Sequence, residues 1–383
     1  MTSVAFAGGT SAAPWSDDRA IADEAKPAEG KVLFEPVTET ASVFPGKDWE
    51  EATPESQGVD SAQLKAAAQY LDTHTGRDGA KELVVIRNGR MIWRGPNIDK
   101  RHGIWSATKS FTSTILGLLI EDGKCTLDTR AKDYVREMAE YYPEVTLRHF
   151  TTMTSGYQAK GDQPAVSHGQ SATPFEPDRP LFSPPGSKYA YWDSAINEFA
   201  LVLTRIAGEP IEELFQRQIA DPIGMNRAQW DWGDIGKVDG LVVNCGAGNR
   251  TRVEISAREL ARLGLLFLNR GDWNGWQLIS ARWVKTATSV QVPASTPLGH
   301  KIDGRGMYGF NWWVNGIKAD GQRKWPGAPT GTFAASGHNN NDMFVIPEWN
   351  MVIVRLGLDG KDLDVPDTTY SDFLQAVGKA IRK

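Results

Sequence analysis

Cysteine is nearly absent from this 383-residue chain. Its two thiols, Cys125 and Cys245, are too few for a disulfide framework or a cysteine-ligated zinc site, and both are expected as buried free thiols. Histidine is scarce as well. The six residues are scattered without a metal-ligating spacing such as His-Glu-x-x-His, so neither a metal nor an organic cofactor is expected. No apolar run reaches the length of a membrane span. Basic residues are not in excess: 42 Lys and Arg against 47 Asp and Glu leave a net charge of -5, which gives no reason to expect nucleic acid or an anionic membrane as partner. No internal repeat is visible. Residues 1–45 lack the basic start and apolar run of a secretory signal. Rich in Ala, Gly, Ser, Pro, Glu and Asp, they read as a flexible or wrapping arm, and the expected location is the cytoplasm.

What the chain does have is length enough for a large core and two lobes, and fourteen tryptophans, a surplus that suits an aromatic-lined pocket as well as a core. A helix is expected to start at Thr53-Pro54-Glu55-Ser56 and to carry the stripe Leu64, Ala67, Ala68, Leu71. Glu82 to Arg87 and Arg90 to Arg94 read as strands joined by the hairpin signal Asn88-Gly89. From Leu127 the pattern is helical and loop-rich. Helices are expected at Val145–Met153, Ala195–Ala207, Glu212–Ile219 and Ser256–Asn269, with a long loop from Gln158 to Pro185 of the kind that forms lids or binding rims. Strands return after Pro293, at Met307–Val314, Thr332–Ala335, Asp342–Ile346 and Met351–Leu356, followed by a helix from about Ser371 to Arg382. The predicted class is α+β: one antiparallel sheet built from both ends of the chain (46–125 and 290–383) with a mostly helical lobe (126–289) inserted and a site between them.

One stretch carries chemistry. Gly103-Ile104-Trp105-Ser106-Ala107-Thr108-Lys109-Ser110-Phe111 holds the only Ser-x-x-Lys, followed by a small and apolar run to Ile120. Positions three apart share a helix face, so the Ser106 hydroxyl and the Lys109 amine come within reach of each other. A serine hydroxyl needs a base beside it, and a lysine partly desolvated by apolar neighbours can serve. The bare spacing fits equally a helix start with Ser106 as N-cap.

Partners for such a serine are sought along the chain. Tyr191, just after a turn at Pro185-Gly186, can relay a proton to a leaving group if a nearby ammonium lowers its pKa. A core tyrosine fits the same position, and spacing does not exclude Tyr189. An oxyanion would be held by the Ser106 amide at a helix start and by a second amide from Ala335-Ser336-Gly337-His338, where Gly337 permits close approach; a plain turn fits there too. Trp105, Tyr157, Tyr189, Trp192, Trp230 and Trp232 are candidate pocket walls by nearness in sequence to these motifs.

In this order the residues resemble the serine β-lactamase and penicillin-binding-protein superfamily, in particular class C β-lactamases and their esterase and amidase relatives such as 6-aminohexanoate-dimer hydrolases. The likeness runs from about Thr53 to the C-terminus and includes Val145-Thr146-Leu147-Arg148-His149, Asp221-Pro222-Ile223-Gly224-Met225 and Ser336-Gly337-His338. It implies Ser106 as acylated nucleophile, Lys109 as its base, Tyr191 as general acid and base, the amides of Ser106 and His338 as oxyanion donors, and Gly337 beside the substrate. Two departures accompany it. Asp193 stands where the family has asparagine, and a carboxylate there would pair with Lys109 and favour its charged form. Ala335 stands where the family has the lysine that binds the carboxylate of penicillins. The resemblance therefore implies a serine hydrolase acting on a small ester or amide; a β-lactamase or D-amino-acid peptidase, or a binding protein that has lost catalysis, are the alternatives.

Overall fold

The structure is a computed structural model describing residues 42–359 and 365–382; most of the arm expected at 1–45 lies outside the described residues. Chain order begins with helix α1 (Ser61–His74), whose Asp60 side chain accepts from the Gln63 amide and whose Leu64, Ala67, Ala68 and Leu71 are buried. The helix starts later than its sequence suggests. Glu55–Gln57 forms a separate 3-10 turn, and Gly58 at φ 70° ends it, a left-handed stop that a glycine accepts readily.

Strands β1 (Val84–Arg87) and β2 (Arg90–Arg94) follow, joined through Asn88 and Gly89 at φ 54° and 78°, the turn that Asn-Gly favours. The short β3 (Arg101–Gly103) leads into a 3-10 turn at Trp105–Ala107 and then helix α2 (Thr108–Glu121). Every residue of α2 from Thr108 to Leu119 is buried, as expected of a helix without a polar face. Helix α3 (Asp193–Ala207), strand β4 (Trp230–Trp232), strand β5 (Val253–Ser256) and helix α4 (Ala257–Leu268) belong to the middle of the chain. The C-terminal part supplies β6 (Trp313–Val314), β7 (Phe333–Gly337), β8 (Asn341–Ile346), β9 (Met351–Arg355) and helix α5 (Asp367–Ala380).

Six strands form one antiparallel sheet in the order β6-β7-β8-β9-β1-β2. The two ends of the chain meet at the β1–β9 pairing, Val84 opposite Val354. Helices α1 and α5 join the core on one side, where Leu64, Leu71, Phe373 and Val377 pack with Val85, Phe344 and Ile353. The middle of the chain is less purely helical than expected. Strand β5 pairs with both β3 and β4, and Asp234–Val238 pairs with Leu241–Asn244. Their alternation, as in Trp230-Asp231-Trp232, runs for too few residues to stand out as a period of two. Likewise the expected helix at Val145–Met153 shortens to Leu147–Thr151, and Met307–Val314 forms a strand only at its last two residues. No helix among the described residues is long and apolar enough to cross a membrane. Cys125 and Cys245 are buried free thiols.

Candidate active site

Ser106 sits in the 3-10 turn that feeds α2, and Lys109 in the first turn of that helix. The turn is strained: Trp105 has φ 50°, a region a bulky residue rarely adopts and one that clusters at functional sites. Its indole is held by the Arg252 guanidinium, 3.6 Å above the ring, and by the His338 ring, 5.0 Å away at 78°. Two glycines make room for the turn. A Cβ on Gly248 would lie 2.0 Å from the Trp105 carbonyl oxygen, and one on Gly337 would lie 2.0 Å from that of Ile104. The end of β7 therefore runs against the Ser106 turn in a way that only glycine allows.

Lys109 is 1% exposed and its ammonium meets three oxygens. Nζ donates to Ser106 Oγ at 2.9 Å and to the Ala247 carbonyl at 2.8 Å, and lies 2.7 Å from Asp193 Oδ1. Asp193 is the first residue of α3, where the helix dipole favours a negative charge. Its other oxygen, Oδ2, is 3.1 Å from His168 Nε2, and its amide donates to the His168 carbonyl at 2.7 Å. Burial pushes the Asp193 carboxyl up, but Lys109 and His168 outweigh burial and hold it below the usual carboxylate range. The Asp193 carboxylate thus does reach Lys109.

Tyr191 is also buried, with Lys109 Nζ 4.7 Å from its ring centroid and the Trp313 ring stacked 6.1 Å away. Burial first and the Asp193 charge second push the phenol well above its ordinary pKa, although the Ser106 side chain favours the phenolate. The sequence reading required a neighbouring ammonium to lower that pKa. The ammonium is there, but its counter-charge Asp193 and the loss of water prevail, so Tyr191 rests as a proton donor.

Ser106, Tyr191, Gly337 and His338 line a cleft of about 550 Å³. The other candidate walls lie elsewhere. Tyr157 donates to the Pro174 carbonyl, Trp192 to Asp162 and Trp232 to the Cys245 carbonyl. Trp230 packs on Phe215, and Tyr189 on Tyr308. Each is buried: a large ring near a motif in sequence was drawn into the core, where its polar atom found a partner or its face found another ring. Trp105 flanks the serine instead of lining the cleft.

The cleft holds residues that no local pattern announced. His168 comes from the long loop. Trp313, Lys324 and Asp342 come from the C-terminal part. Lys324 Nζ lies 4.5 Å from the Trp313 ring centroid and 2.8 Å from Asp367. Burial pushes the Asp342 carboxyl up to about 6, against the Ser336 hydrogen bond and the charges of Arg355 and Lys324. Lys324 brings an ammonium into the cleft.

The chain and its fold match known proteins. The Beta-lactamase family model matches residues 64–357. The chain belongs to the beta-lactamase family. It is a hydrolase of the serine β-lactamase fold within the wider superfamily that includes penicillin-binding proteins. An uncharacterized protein of Alkalihalophilus pseudofirmus is 21% identical over 268 residues, covering 67% of this chain and 73% of that one. A putative 6-aminohexanoate-dimer hydrolase from Bacillus anthracis aligns in structure with a TM-score of 0.61 at 20% identity, over 87% of this chain and 88% of the other. A family VIII carboxylesterase gives the same TM-score at 17% identity, over 83% and 97%.

Proposed function

We propose that this family member hydrolyses a small ester or amide through an acyl-enzyme on Ser106. The observation that carries the reading is the approach of the Lys109 amine to the serine hydroxyl, Nζ 2.9 Å from Ser106 Oγ, in a cleft that Tyr191 also lines. In the competent state Lys109 is neutral and takes the Ser106 proton as Oγ attacks the carbonyl carbon. The resulting oxyanion is held by the backbone N–H groups of Ser106 and His338, donors fixed before the reaction begins. Tyr191, a protonated phenol, gives its proton to the leaving oxygen or nitrogen, and the Lys109 ammonium restores it. A water then attacks the acyl carbon, losing its proton to the same pair, which passes it to Ser106 Oγ as the acid leaves and the hydroxyl is restored.

Ala335 in place of the family's lysine favours an ester or amide without the penicillin carboxylate. Lys324 supports a second reading. Its ammonium in the cleft suits a substrate carboxylate, as a D-amino-acid peptidase would require, and the D-alanyl-D-alanine-carboxypeptidase/endopeptidase of Escherichia coli is 27% identical over 165 residues, 37% of this chain and 43% of that one. Asp367 already pairs with Lys324, which weighs against it. A short-chain nitrophenyl ester and a chromogenic cephalosporin, compared on wild type and Ser106→Ala, separate the readings. Ester turnover lost in the variant supports the esterase. Fast cephalosporin turnover with little esterase activity supports the second reading, and no turnover of either with no labelling by a fluorophosphonate leaves a binding protein.

A further inference from the structure

Away from the cleft, three acidic and imidazole side chains converge inside the protein. Asp78 lies in the loop after α1, Glu82 just ahead of β1, and His102 in β3. Each offers one ligand atom, and these atoms all lie within 4.8 Å of one another. The residues are 7%, 0% and 4% exposed. Asp78 is anchored, its Oδ2 accepting from the Leu358 amide at 2.7 Å. The other two are not. Neither oxygen of Glu82 nor Nε2 of His102 has a hydrogen-bond partner among the described residues, and all three atoms are buried. A buried carboxylate in that condition is costly unless a cation sits against it.

The cations present stand off. His102 Nε2 is 3.5 Å from Glu82 Oε1. Lys100 Nζ is 3.7 Å from the same oxygen and 3.8 Å from Asp78 Oδ2, and its side chain is 49% exposed. Lysine thus reaches in from solvent without closing a hydrogen bond on either carboxylate. The donor separation fits a smaller ion better. Bonds of about 2.0–2.1 Å from a tetrahedral centre to nitrogen and oxygen place neighbouring ligands about 3.4 Å apart, close to the Glu82–His102 distance. One imidazole with two carboxylates is a donor set for a borderline divalent ion such as zinc.

We propose that Asp78, Glu82 and His102 form a binding site for one divalent cation of zinc type, with the Lys100 ammonium as the internal cation that the metal displaces. The ion would tie the loop after α1, the entry to β1 and β3 into one unit. Since β3 runs directly into the Trp105–Ala107 turn, the clamp steadies the strand on which the nucleophile turn is mounted without touching the reacting atoms. No spacing in the sequence announces this set, because its members come from three separate segments.

Cobalt(II), a visible probe for zinc sites, is titrated into the EDTA-treated full chain at neutral pH, with melting temperature followed in parallel. The expected result is saturable one-to-one binding with a visible absorption band and a raised melting temperature. In Lys100→Met, which removes the competing cation from a half-exposed position, binding tightens at least tenfold. In Glu82→Gln, checked for native circular dichroism, binding falls at least tenfold. Absence of one-to-one binding in both wild type and Lys100→Met overturns the proposal, and so does a Glu82→Gln variant that binds cobalt as tightly as wild type.

Discussion

Replacing Asp193 by asparagine removes the charge beside Lys109 while keeping the side chain's size. In the native site the Asp193 carboxylate lies 2.7 Å from the Lys109 ammonium with both side chains buried. At an effective dielectric of about 20, a charge pair at that distance interacts by roughly 6 kcal/mol. Not all of this appears in the reaction. The asparagine oxygen would still accept from the ammonium, the Ala247 carbonyl remains 2.8 Å from Nζ, and the contact with His168 changes at the same time. Even a quarter of the interaction, about 1.4 kcal/mol, corresponds to one pH unit. The sign follows from the chemistry. The reaction needs Lys109 neutral, and the carboxylate favours the ammonium, so removing the carboxylate lets the competent form persist to lower pH. The acid limb of the kcat/KM profile for a nitrophenyl ester is expected to move to lower pH by at least about one unit in Asp193→Asn. Asparagine is nearly isosteric, so the fold should hold, which a melting curve at each pH verifies. An acid limb at the wild-type position would refute the claim that Asp193 governs the Lys109 proton.

Three further outcomes are expected. Gly337→Ala should lower kcat/KM at least tenfold, because its Cβ would fall 2.0 Å from the Ile104 carbonyl oxygen and 3.0 Å from the Ala107 nitrogen, both backbone; wild-type rates would show that β7 is not pressed against the Ser106 turn. Glu198, 0% exposed, has its carboxyl pushed by burial up to about 8 from 4.5. Because the folded value is raised, its contribution is intact below about pH 4.5 and is lost as pH rises towards 8. Glu198→Gln should thus gain stability over wild type across that window, on the order of 5 kcal/mol at its top, measured by urea denaturation at several pH values; a difference that does not change with pH would contradict this. His168→Gln removes a neighbour of Asp193 that sits 3.1 Å from its carboxylate and is expected to alter the pH profile of kcat while leaving urea stability within about 1 kcal/mol, as for a partly exposed side chain.

The contact between Ser106 and Lys109 was legible because it is local. Ser106 and Lys109 lie three apart on one helix start, and the buried run behind them has no polar face. The antiparallel sheet from both ends was legible for a similar reason: Val84-Val85-Ile86 and Met351 to Arg355 are short, apolar and β-branched, and Asn88-Gly89 leaves little choice of turn. The rest of the site depends on contacts between distant segments. Nothing near His168 or Lys324 in sequence indicates that one meets the N-terminus of α3 and the other enters the cleft between Trp313 and Asp367. The Tyr191 phenol illustrates how the environment can reverse an expectation, since the ammonium at 4.7 Å arrives together with Asp193 and near-complete burial. The wall residues show the same limit. Trp192 and Tyr157 sit beside motifs in the chain, but each has a buried hydrogen-bond acceptor that fixes it in the core.

The proposed mechanism rests on covalent acylation of Ser106. Intact-protein mass spectrometry after brief incubation with a nitrophenyl ester or a fluorophosphonate, followed by peptide mapping, tests it directly. A single adduct is expected on the peptide containing Ser106, absent from Ser106→Ala. Turnover of the ester with no adduct by either reagent, or an adduct that persists in Ser106→Ala, would contradict it.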